Sequence, residues 1–125
     1  MEILASVFII LAALVHIYIW VLESFLWTKP ATMKTFNITS DLARASKALA
    51  FNQGFYNLFL AIITIIGFVL FIGNDLDSGK VLLFSSLGSM VLASIVLFAS
   101  DKTKLRAALV QFSAPAIALV VLLLM

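Results

Sequence analysis

Not one of the 125 residues is cysteine, which excludes disulfide frameworks, thiolate nucleophiles and Cys-ligated zinc or iron–sulfur centres. Histidine occurs once, as His16, and a lone His beside a carboxylate supplies too few ligands, so no metal is expected. No serine stands near that histidine in a nucleophile motif, and neither a phosphate loop nor a dinucleotide fingerprint is present. Classical hydrolase, kinase and dehydrogenase chemistries therefore fail, and whether the chain is an enzyme at all stays open, as does any cofactor. Charge is scarce too: 11% of the residues are charged and 64% are hydrophobic, with a mean hydropathy of +1.21. No water-soluble fold of this size hides so much apolar surface in one core. The net charge of +2 sits in short connections, so nucleic acid is not an expected partner.

What is abundant is apolar sequence in runs of about 20 residues, the length that crosses a bilayer core of about 30 Å. Four such runs can be cut, Ile3 to Leu26, Ala48 to Ile72, Val81 to Ser100 and Leu105 to Met125. The expected fold is an all-α integral membrane protein, a single four-helix domain over 1–125 with helices at about 3–26, 41–72, 81–100 and 105–125. The N-terminus has no basic n-region or cleavage pattern, so the first run reads as a retained helix. Seven of the eight basic residues fall in the first and third connections, and only Lys80 lies across. The positive-inside bias puts those connections in the cytoplasm and both termini outside, on the periplasmic or extracellular face. Lys29-Pro30 stops the first helix, and Pro30 can open a short interfacial helix over 30–37 with Met33 and Phe36 at the boundary. Thr39-Ser40-Asp41 suits an N-cap for the second helix, and Pro115 should kink the fourth or free a carbonyl near Gln111.

Polar residues inside these runs are the functional signal. His16, Trp20, Glu23 and Trp27 stand at i, i+4, i+7 and i+11, one stripe of the first helix. Asn52, Gln53, Tyr56, Asn57 and Leu60 share a broad face of the second, and Gln111 lies six residues into the fourth. At about 1.5 Å per residue all of them lie in the cytoplasmic half or at the midplane, while the outer half is nearly all apolar. Ionisable groups at such depth read as functional sites, so His16, Trp20, Glu23, Asn52, Gln53, Tyr56, Asn57 and Gln111 are the ligand-binding or proton-exchanging candidates. The expected pairs are Glu23 with Asn52 or Gln53, and His16 with Asn57 or Tyr56. Trp20 either stacks on a flat ligand or fills core volume.

The chain resembles, over almost its whole length, a family of small bacterial membrane proteins catalogued as domain of unknown function 1304. The resemblance rests on His16 with Leu22-Glu23, on Phe25-Leu26-Trp27-Thr28, on Lys29-Pro30 followed by Phe36, and on the block from Asn52 to Ala61, NQGFYNLFLA. It implies a multi-pass protein of the bacterial cytoplasmic (inner) membrane, and it brings no activity or cofactor with it.

Three functions compete. The leading one is a polar pocket within the membrane, open to the cytoplasmic leaflet, that holds a small or amphiphilic molecule. The second is proton-coupled transport by a homodimer, which needs access from both sides and meets an apolar outer half. The third is a structural or assembly subunit in which polar groups only lock the bundle. Expected partners are the lipid bilayer, a lipid or amphiphilic ligand, and in the transport reading a second copy.

Overall fold

In the computed structural model, which describes residues 1–125, the chain is helical throughout apart from short links and contains no strand. The helices are α1 (Glu2–Ser24), α2 (Pro30–Phe36), α3 (Ser40–Ala45), α4 (Lys47–Ile72), α5 (Leu76–Ser100) and α6 (Leu105–Leu123), with a 3-10 turn at Lys102–Lys104. Four of them, α1, α4, α5 and α6, are long and apolar enough to cross a membrane. α1 and α5 each pack against both α4 and α6, so the long helices form a ring in up-and-down order. Four antiparallel passes return the chain to where it began: Met1 and Glu2 lie beside Leu124 and Met125. The other end carries α2, α3 and the 3-10 turn and is called the loop end below.

The boundaries differ from the sequence expectation where local hydrogen bonding decides them. α1 stops at Ser24 rather than residue 26. The helix expected over 41–72 is interrupted at Ser46, whose hydroxyl donates back to the Leu42 carbonyl (2.6 Å) and accepts from the Trp27 indole N–H (3.1 Å). α5 begins five residues before the expected 81, because the Asp75 carboxylate caps it by accepting from Ser78 N–H (3.1 Å). The link before it shrinks to residues 73–75. α6 ends at Leu123, and Pro115 sits buried inside it without ending it. The short segment after Pro30 is helical over Pro30–Phe36 and closes on Asn37 in the left-handed region (φ 51°), which asparagine tolerates.

Glycines set how the helices lean. A Cβ on Gly67 of α4 would stand 3.0 Å from the Leu82 Cβ and 3.1 Å from the Leu83 nitrogen of α5, and a Cβ on Gly79 would overlap the Phe71 backbone. α4 and α5 are thus in near-backbone contact toward the terminal end, where Thr64 Oγ1 also donates to Ser86 Oγ (2.9 Å). Gly54 does the same at the loop end but against α1, 3.0 Å from the Trp20 oxygen and the Ser24 nitrogen. α4 is therefore held to α5 at one end and to α1 at the other, which leaves α4 and α5 parted at the loop end.

Two apolar clusters fill the interior. The larger, at the terminal end, interleaves Ile9, Leu83, Leu87 and Met90 with small residues such as Ala12 and Ala118. The smaller packs Ile19, Leu22 and Ala107 against Phe36 of α2, so that helix folds under the loop end of α1 and α6.

Candidate functional site

Where α4 and α5 part, the loop end holds a cavity of about 540 Å³. Its polar wall is Glu23 from α1, Gln53, Tyr56 and Asn57 from α4, Gln111 from α6, and Lys104 from the 3-10 turn. Trp27 and Phe36 form an aromatic floor with ring centroids 5.1 Å apart. The size falls within the roughly 300–1,000 Å³ of small-molecule sites.

α4 presents Gln53, Tyr56, Asn57 and Leu60 to the cavity because they recur at i, i+3, i+4 and i+7, one helical face. Asn57 reaches across to α1, its Nδ2 donating to Glu23 Oε2 (2.8 Å) and to the Gln53 carbonyl (3.2 Å). That bond corrects the expected pairings: Glu23 is held by Asn57, one turn deeper than Asn52 or Gln53. Within the protein Glu23 accepts this one hydrogen bond, which leaves its second oxygen to the cavity.

Gln111 is 8% exposed and lines the cavity, yet its side-chain amide makes no hydrogen bond to the protein. Pro115, four residues on, also removes the N–H that would bond the Gln111 backbone carbonyl. Three other buried polar positions of the bundle are paired: Ser24 with the Phe51 carbonyl (2.9 Å), Ser94 with that of Val91 (2.6 Å), and Thr64 with Ser86. Lys104 donates to the carbonyls of Phe36 (2.6 Å) at the end of α2 and of its cap Asn37 (2.8 Å), and its ammonium has a third N–H. In the sequence Lys104 is one of the basic residues of the third connection, and nothing in its spacing announces that this connection folds back over the cavity.

The remaining candidates lie outside the cavity or, like Tyr56, at its mouth. His16 is buried (1% exposed), and its Nδ1 donates to the Ala12 carbonyl one turn back (2.9 Å) rather than meeting Asn57 or Tyr56. Since a carbonyl only accepts, Nδ1 carries the proton, and in the neutral ring Nε2 is the acceptor. Trp20 faces the α1–α4 seam instead of the cavity, held edge-to-face by Phe25 (5.5 Å) and Phe55 (5.8 Å), with its buried Nε1 unpaired. Asn52 is exposed near the start of α4 and does not line the cavity. Tyr56 is 65% exposed and borders the cavity mouth.

A protein-family model described as a protein of unknown function, DUF1304, matches residues 10–123. Neither a curated protein nor a solved structure matches the chain.

Proposed function

The chain belongs to the DUF1304 family, proteins of unknown function, and from that premise we propose that it is a bacterial membrane protein that binds a small or amphiphilic molecule in the loop-end cavity. One observation carries this reading: Gln111 is nine-tenths buried, its amide makes no hydrogen bond within the protein, and it borders a cavity shared with Glu23 and Lys104. Its two polar atoms are not fully enclosed, unlike Trp20 Nε1, so whatever occupies the space beside them supplies their hydrogen bonds. Polar residues that merely lock helices together behave like Thr64 and Ser86, which bond each other. The contrast favours binding over an assembly role. At the terminal end an apolar cluster drawn from all four long helices fills the interior, and the buried hydroxyls of Thr64 and Ser86 bond each other, which favours binding over passage.

The loop end faces the cytoplasm in this reading, because Lys29, Lys34, Arg44, Lys47, Lys102, Lys104 and Arg106 all gather there. Mass spectrometry of molecules that co-purify with the chain in native lipid tests the proposal. A molecule present with the wild type and depleted with a folded Gln111→Leu variant supports it; identical co-purifying sets overturn it.

A further inference from the structure

Resting on that cavity reading, we infer that the ligand is a single-chain amphiphile whose head both donates and accepts hydrogen bonds, and whose chain leaves sideways between α4 and α5. The head follows from the groups left unmet. The second oxygen of Glu23 and the Gln111 carbonyl call for an N–H or O–H, while the third N–H of Lys104 and the Gln111 NH2 call for a carbonyl or anionic oxygen. A head of one polarity alone leaves half of them unpaired.

The chain follows from the mouth. Its α5 border is Ala93, Val96, Leu97 and Ser100, again i, i+3, i+4 and i+7, facing the matching α4 residues across the gap. Val96 is 64% exposed and Ala93 is exposed, so the mouth opens on the flank that the apolar surface of the bundle turns toward lipid. Above Leu60 the gap is closed by the Thr64–Ser86 hydrogen bond and by the backbone contact at Gly67. The slot is thus a few helical turns tall, and at roughly 30 Å³ for a group the size of a water the cavity holds about 18 such groups, a head and the start of one chain.

Lysophosphatidylethanolamine is a suitable probe, since its head pairs an ammonium with a phosphate on one chain. Binding to the protein in phosphatidylcholine nanodiscs, read by native mass spectrometry, is compared with diacyl phosphatidylethanolamine and with free phosphoethanolamine. The single-chain probe should bind at least tenfold tighter than either. Ala93→Trp, which plugs the slot, should weaken it at least tenfold, while Leu92→Trp on the neighbouring exposed face should not. Equal binding of the diacyl lipid or of the free head, or indifference to Ala93→Trp, overturns the inference yet leaves the cavity reading intact. If no probe binds, the inference also falls, and the co-purification comparison with Gln111→Leu decides the cavity reading separately.

Discussion

Replacing Gly54 by alanine should push α1 and α4 apart, whereas the same change at Gly88 should stabilise the protein. At Gly54 the new methyl would meet two backbone atoms, the Trp20 oxygen and the Ser24 nitrogen, each at 3.0 Å, and would overlap the Ser24 hydroxyl. Backbone cannot swing aside, and the hydroxyl is held by its bond to the Phe51 carbonyl (2.9 Å). Overpacking of this kind costs about 1–3 kcal/mol, and loss of the serine bond adds about 1 kcal/mol. Alanine returns about 0.5–1 kcal/mol through its better helix propensity, so the net is a loss of about 1–3.5 kcal/mol. At Gly88 nothing lies within 4 Å of the new methyl, and only the propensity gain of about 0.5–1 kcal/mol remains. Equilibrium unfolding in mixed detergent and dodecyl sulfate micelles, followed by tryptophan fluorescence, gives both signs. A Gly54→Ala protein as stable as the wild type, or a destabilised Gly88→Ala protein, would refute the account of how α4 leans.

Other perturbations test the parts around the cavity. Ser46→Ala removes the acceptor of the Trp27 indole and should cost about 1 kcal/mol, with a shift in Trp27 emission that Ser100→Ala does not cause. Lys104→Met frees the carbonyls of Phe36 and Asn37, so α2 should become sensitive to limited proteolysis before the long helices do. Asp101 accepts from the Thr103 hydroxyl (2.6 Å) and backbone N–H (2.9 Å), which hold its carboxyl below the ordinary carboxylate value. A depressed folded value means that this stabilisation is complete above the unfolded pKa near about 3.9 and is lost as pH falls through the folded one. Unfolding midpoints measured from neutral pH downward should show an acid-side decline that Thr103→Val flattens.

The long helices were legible because hydropathy over 20 residues leaves little alternative, and the polar groups of the loop end were legible because hydrocarbon tolerates so few. Pairing was not. Period and depth put Asn52, Gln53 and Asn57 on one face, but the lean of α4 decides which of them meets Glu23, and that lean comes from three glycines whose neighbours are distant in sequence. Gly79 read as a loop residue for the same reason: its contact with Phe71 exists only once α5 folds back. Trp20 shared a stripe with Glu23, yet a helical stripe is wide enough for one side chain to face the α1–α4 seam and the other the cavity. Lys104 was invisible because its role depends on α2 folding under the bundle.

Gln111→Leu separates a ligand group from a structural one more directly than any other change. Its amide makes no bond within the protein, so the leucine variant freed of co-purified molecules should unfold at a midpoint equal to or above that of the similarly stripped wild type. The same variant should lose the added stability that the wild type gains from its bound molecule. A lower midpoint for the stripped variant would mean that Gln111 holds the bundle together, and would contradict the binding account.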